Sequence, residues 1–151
     1  MGTLVSINVS NGGVPKRPLK FTLITEEGLE GDRQRDLRYH GGPDRAVCLY
    51  SQDLIDALRG EGHPIDAGTI GENLTLRGVS WGEMVPGAKL EVGEVRIELT
   101  GYAAPCNNIA GSFQRRHIGR VSQQANPGWS RLYARVLKEG TVRVGDRVEK
   151  A

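Results

Sequence analysis

The sequence predicts a compact, mainly β domain, built as a closed or partly closed barrel with a few short helices. Three observations carry that expectation. Short runs rich in Val, Ile, Leu, Thr and Phe recur at both ends of the chain. The 21 glycines are scattered through 151 residues and not gathered into a linker, which implies many tight turns. One segment alone combines a capping residue, a helical apolar face and a terminating glycine. A length of 151 residues makes one domain over 1–151 the default. With 38% hydrophobic and 25% charged residues and no run of eighteen apolar ones, the sequence offers no transmembrane span and does not read as disordered.

In chain order, residues 3–9 and 19–24 read as two strands, separated by Asn11-Gly12-Gly13 and two prolines. Ala46–Tyr50 is an apolar run with the look of a buried strand. Ser51 can cap a helix in which Leu54, Ile55 and Leu58 share a face and Gly60 provides the end. Asn73–Leu76 is a short strand. In Gly87–Leu99, Val95, Ile97 and Leu99 lie on one side at period two and Gly93 marks a hairpin turn. A helix is predicted over roughly 108–120, with Ile109, Phe113 and His117 at four-residue spacing, although Gly111 and Gly119 weaken it. Leu132–Leu137 and the Gly-punctuated 140–148 supply the closing strands.

Charge is near balance, 20 bases against 18 acids, so the whole chain advertises neither nucleic acid nor an anionic membrane. The distribution is uneven. From Leu99 to Lys138 there is no acid, while Arg115, Arg116, Arg120, Arg131, Arg135 and Lys138 are cationic. Cys106 lies in that segment. Cations stabilise a thiolate, as does the amino end of a helix starting at Asn107 or Asn108, so Cys106 reads as a nucleophile or a soft-metal ligand. The competing reading makes the arginines a solvated face and Cys106 a small buried residue. Cys48, between Val47 and Leu49, is given a packing role. Two cysteines allow at most one disulfide, and no leader-like apolar stretch opens the chain. A reducing cytoplasm is the expected compartment.

His40-Gly41-Gly42-Pro43-Asp44-Arg45 joins flexible backbone to an imidazole, an acid and a base. It could hold an oxyanion, or it could simply turn the chain. Asn73, in Gly71-Glu72-Asn73, could contact a ligand or close a turn. The histidines and cysteines lack the close pair spacing of zinc sites. Neither a Gly-Lys-Ser/Thr phosphate loop nor a Gly-x-Ser-x-Gly elbow occurs.

Taken together, Pro15-Lys16, Gly28-x-x-Gly31-Asp32, His40 to Val47, Gly71-Glu72-Asn73-Leu74-Thr75, Thr100-Gly101, Pro105-Cys106, Ala134-Arg135-Val136 and Gly145-Asp146 resemble, in order, the MOSC domain. This is the molybdenum cofactor sulfurase carboxy-terminal domain. The resemblance runs from about residue 4 to 148. It implies a small, strongly bent β-barrel that binds molybdenum cofactor (molybdopterin), with the family's invariant cysteine at Cys106 as the molybdenum ligand. Lys16, Arg33, His40, Arg45 and Asn73 fall within the family's motifs and are the implied cofactor contacts. Arg115 and Arg116, in a segment that varies in the family, are secondary candidates. Guanidinium and ammonium groups suit a pterin phosphate and an anionic dithiolene, and a thiolate suits molybdenum.

Relatives with this chemistry reduce N-hydroxylated bases or amidoximes with electrons from a partner redox protein. Others are regarded as sulfur carriers, holding a persulfide on the same cysteine. The family's association with pyridoxal phosphate belongs to the sulfurases to which the domain is fused, and no aminotransferase-like segment is found in this sequence. The leading expectation is therefore a reductase of N-oxygenated small molecules with an external electron donor, the alternative a sulfur carrier served by a sulfur donor. A third reading, a basic barrel binding nucleic acid through 99–138, is disfavoured by how few aromatic residues that segment has.

Overall fold

The computed structural model describes residues 1–32 and 42–151. In chain order the strands are β1 (Gly2–Val9), β2 (Arg17–Leu19), β3 (Phe21–Thr25), β4 (Gly28–Leu29), β5 (Val47–Ser51), β6 (Leu74–Arg77), β7 (Lys89–Val92), β8 (Val95–Ala103), β9 (Arg131–Lys138), β10 (Gly140–Arg143) and β11 (Arg147–Lys150). Helix α1 spans Gln52–Gly60.

Seven strands close a barrel in the order β1, β6, β5, β9, β8, β7, β11 and back to β1, and β2 adds to β1 outside the ring. Closure removes the exposed edges that an open sheet would leave. β5 and β6 run parallel, and that pairing requires a crossover connection, which contains α1. Ser51 caps α1: its hydroxyl accepts from the Leu54 N–H at 3.2 Å, and Ile55 and Leu58 are buried, as the apolar spacing predicts. The helix runs through Gly60, and the left-handed glycine beyond it is Gly62. β10, β3 and β4 form a second, three-stranded sheet.

The expected strand at 19–24 is divided at Lys20. Leu19 pairs with Ile7 of β1, whereas Phe21 pairs with Arg143 of β10. The chain thus passes from the barrel to the second sheet within two residues. The stretch 140–148 divides in the same way at Gly145-Asp146, between β10 and β11. Gly93 makes the β7–β8 turn at φ 54°, where an added Cβ would run into the Asp146 carboxylate. Val95, Ile97 and Leu99 alternate inward as predicted, and all three are buried.

The interior is filled from the ring: Leu4 and Ile7 of β1, Leu49 of β5, Leu74 and Leu76 of β6, and Ile97 of β8 are fully buried. Tyr50 and Trp81 meet edge to face at 5.9 Å. The Tyr50 hydroxyl donates to the Trp129 carbonyl, and the Trp81 N–H to that of Ser130, each at 2.8 Å.

The segment after Cys106 corrects the predicted helix over 108–120. It is a chain of 3-10 turns, Asn107–Ser112, Gln114–Arg116 and Ile118–Val121. Its bonds close over three residues, Ile109 N–H to Cys106 carbonyl and Phe113 N–H to Ala110 carbonyl among them. Arg115 and Arg116 have positive φ, which ends helical continuation. Ile109 and Phe113 are buried while His117 is exposed, so the three do not share one face.

Candidate functional site

β8 carries two irregularities in its register with β9, the second between Leu99 and Gly101. Such bulges bend a strand and re-aim the residues beyond them. Here the strand runs out through Tyr102 and Ala103 into Pro105-Cys106. Cys106 is half-buried, its thiol is free, and its carbonyl starts the first 3-10 turn. Next to this strand end lies an open cavity of about 490 Å³, lined by Asp44, Arg45, Thr100, Gly101, Tyr102, Tyr133 and Arg135, among others.

Arg45 ends a short 3-10 turn, Pro43–Arg45. The Thr100 hydroxyl donates to the Asp44 carbonyl and ties that turn to β8. The exposed Arg45 guanidinium sits 5.3 Å from the centre of the Tyr133 ring. Burial raises the pKa of the Tyr133 phenol, with Cys48 and Cys106 acting in the same direction and Arg131 and Arg45 opposing them. Tyr133 is therefore within electrostatic reach of both Arg45 and Cys106. Tyr133 carries no signal in the sequence beyond its place in an apolar run.

Lys16 and Asn73 are brought together through Asp32. The Lys16 ammonium lies 2.6 Å from one Asp32 carboxylate oxygen, and the Asn73 amide donates to the other at 2.9 Å. Both charged side chains are more than nine-tenths buried. The Asn73 side-chain oxygen accepts from the Cys48 N–H at 2.9 Å, and its amide also donates to the Asn8 carbonyl at 3.2 Å. Asn73 is thus fully engaged in holding β5, β1 and the Asp32 turn together, and the Lys16 ammonium keeps two further donors. Gly28 permits that turn: a Cβ there would stand 2.7 Å from the Ala46 carbonyl oxygen. Asp32 belongs to a sequence motif, but nothing in the sequence indicates that it neutralises Lys16. Arg33 and His40 lie outside the described residues.

Cys48 is buried with Ala103 and Tyr133, and burial pushes its thiol up to about 11. The cations near Cys106 in sequence are dispersed in space. Arg131 is buried and donates to the carbonyls of Ile70 and Ala104. Arg120 pairs with Glu61, and Arg135 with Glu98. Arg115 and Arg116 line a different cavity with His63, Gln114 and His117. Among the described residues these cations form no single basic face. Among the described residues no group of three or more His, Cys, Asp or Glu converges on a metal site, and no helix is long and apolar enough to cross a membrane.

A seven-stranded barrel with a half-buried free cysteine just beyond a bulged strand, and an open cavity along the end of that strand, defines a class of small β-barrel proteins. The MOSC domain matches residues 36–149, and the chain belongs to that family. It is 33% identical over 139 residues to the uncharacterized protein YflK of Bacillus subtilis (strain 168), covering 91% of this chain and 62% of that protein. It is 31% identical over 125 residues to protein YiiM of Escherichia coli (strain K12), covering 80% and 54%. The chain thus spans little more than half the length of these relatives. Among solved structures, a hypothetical protein superposes with a TM-score of 0.75 at 26% identity, over 99% of this chain and 68% of that one. The YUAD protein of Bacillus subtilis gives a TM-score of 0.78 at 14% identity, over 98% and 94%, and shows the fold alone.

Proposed function

We propose that the chain binds molybdenum cofactor at the cleft beside Cys106 and reduces N-oxygenated small molecules. The observation that carries this reading is the half-exposed, free Cys106 thiol three residues beyond the bulged β8, whose Thr100, Gly101 and Tyr102 line a cavity together with Arg45 and Tyr133. The donor set fits such a group. A metal that arrives with its own dithiolene ligands asks one soft donor of the protein, and Cys106 has no His, Cys, Asp or Glu cluster around it among the described residues. MOSC membership supports the same reading, as does 31% identity over 115 residues to a protein named reductase in Gibberella moniliformis, of which the match covers 20%.

When bound, the cofactor supplies two-electron redox chemistry. Reduction of an N-hydroxylated base consumes two electrons and two protons, breaks the N–O bond and releases the oxygen as water. The electrons come from a separate donor protein. Cys106 holds the metal, and Arg45, kept over the Tyr133 ring, contributes a positive charge to an anionic ligand. Lys16 and Asn73 serve by fixing the turn at Asp32 and the strand that begins beside Arg45.

The test is expression in a host competent in cofactor synthesis, with molybdenum assayed in the purified protein and amidoxime reduction followed with a chemically reduced viologen. Stoichiometric molybdenum and turnover, both lost in Cys106→Ser, are the expected result. A metal-free protein that resists reconstitution and carries a persulfide on Cys106 by mass would replace this reading with the sulfur carrier.

A further inference from the structure

Among the described residues thirteen glycines have positive φ and only two other residues do, Arg115 at 54° and Arg116 at 57°. The left-handed region is unfavourable for a residue with a Cβ and is ordinarily left to glycine. Glycine would serve the turn better, so the arginine side chains account for the choice. Strained backbone of this kind concentrates where a side chain must be presented to a ligand.

Both side chains are exposed, and neither makes an ion pair among the described residues. With His63, Gln114 and His117 they line an open cavity of about 560 Å³ that has no acid among the described residues of its wall. Glu61, whose carboxylate lies 3.5 Å from His63, is occupied by Arg120 through two bonds of 2.9 and 2.8 Å. The Arg120 guanidinium in turn stacks 3.9 Å from the Trp129 ring centre. His63 anchors the turn: its Nδ1 accepts from the Gln114 N–H at 3.0 Å, and its ring meets Phe113 edge-on at 5.4 Å. The imidazole thereby carries its proton on Nε2, 3.5 Å from Glu61. A fixed base therefore presents two adjacent guanidiniums to one cavity.

We propose that this cavity binds a phosphate monoester group, gripped by Arg115 and Arg116. Planar guanidinium forks match the oxygens of a phosphate dianion two at a time. The cavity shares no lining residue with the one at Arg45 and Tyr133, and the proposal stands whether or not Cys106 binds molybdenum. The phosphate could be that of the cofactor's pterin or of a separate phosphorylated small molecule.

Cofactor-free protein is titrated with inorganic phosphate at constant ionic strength, with chloride as the balancing salt, and backbone amide shifts are followed by NMR. Saturable shifts centred on His63 and 114–117 are expected, with affinity at least tenfold weaker in Arg115→Gly/Arg116→Gly. Without phosphate, that variant should melt at or above the parent, since glycine suits both positions. Shifts that chloride alone reproduces, that never saturate, or that persist unchanged in the variant would overturn the proposal. Molybdenum content of the same variant from a cofactor-competent host then separates the sources. Unchanged content assigns the site to a separate phosphorylated ligand, and a tenfold loss assigns it to the pterin phosphate. If the parent itself holds no molybdenum, the phosphate titration still decides.

Discussion

Cys48 and Cys106 carry the same side chain in opposite surroundings. Cys48 is 5% exposed in a strand centre, and its thiol, at about 11, is almost wholly protonated at neutral pH. Cys106 is only half-buried, in a loop beyond the strand. Alkylation of cofactor-free protein at pH 7 with mass mapping should label Cys106 and spare Cys48; labelling of Cys48 first would contradict the burial argument. Asp32 makes a second prediction. It faces a buried ammonium, so Asp32→Ala leaves Lys16 uncompensated and should cost roughly 3–5 kcal/mol in urea unfolding. Replacing Lys16 by Met in the same chain should recover much of that loss, and no recovery would show that the pair does not act as a unit. Glu72 makes a third. It is fully buried, and one of its carboxylate oxygens lacks a hydrogen-bond partner. Burial raises its pKa from 4.5 to about 7, against hydrogen bonds from Gly68, its own N–H and Thr75. Below pH 4.5 it is neutral folded and unfolded. From 4.5 to 7 the unfolded chain loses the proton that the folded chain keeps, so stability falls as pH rises and levels off above 7, by at most about 3 kcal/mol. Urea midpoints between pH 4 and 8 should show this decline, and Glu72→Gln should flatten it; parallel profiles would reject Glu72 as its source.

Elements differ in how much of their structure local sequence dictates. Helix α1 was legible because Ser51, the spacing of Leu54, Ile55 and Leu58, and a nearby glycine all fall within about three turns of one another. Its cap is testable: Ser51→Ala should cost about 1 kcal/mol in chemical denaturation, and an unchanged midpoint would mean that the bond to Leu54 contributes nothing. The strands were legible at period two, as Val95, Ile97 and Leu99 show. Their sheet membership was not, because Leu19 and Phe21 differ only in which distant strand meets them. The segment after Cys106 misled for a physical reason. Apolar residues four apart suit a helix, yet 3-10 turns bury Ile109 and Phe113 equally well and leave Arg115 and Arg116 free to take positive φ. Cys106 was visible through its motif. The Lys16–Asp32–Asn73 contacts and the partners of Arg120, Arg131 and Arg135 were not, since a charge count along the chain says nothing about what folds against each charge.

Barrel closure is a property of the whole chain, because its first and last strands supply it. Gly2 pairs with Val148 and Thr3 with Arg147. Beside them, the Leu4 N–H donates to the Asp146 carbonyl at 2.8 Å and the Gly145 N–H to the Leu4 carbonyl at 2.7 Å. Chain ends ordinarily fray, and their amides exchange through small local openings. Here Leu4 is fully buried, β11 is held on its other side by β7, and Val148 is fully buried as well. Separating β1 from β11 would break the ring, exposing two strand edges and the apolar interior between them. The free energy of that opening should approach that of global unfolding. Native-state hydrogen exchange at increasing urea therefore has a defined outcome: the amides of Leu4 and Gly145 should merge with those of central strand residues such as Leu49 and Ile97 into one isotherm of large slope. Exchange of Leu4 and Gly145 with a slope near zero would mean that the barrel opens at this seam while the rest of the fold persists, and that closure contributes little to its stability.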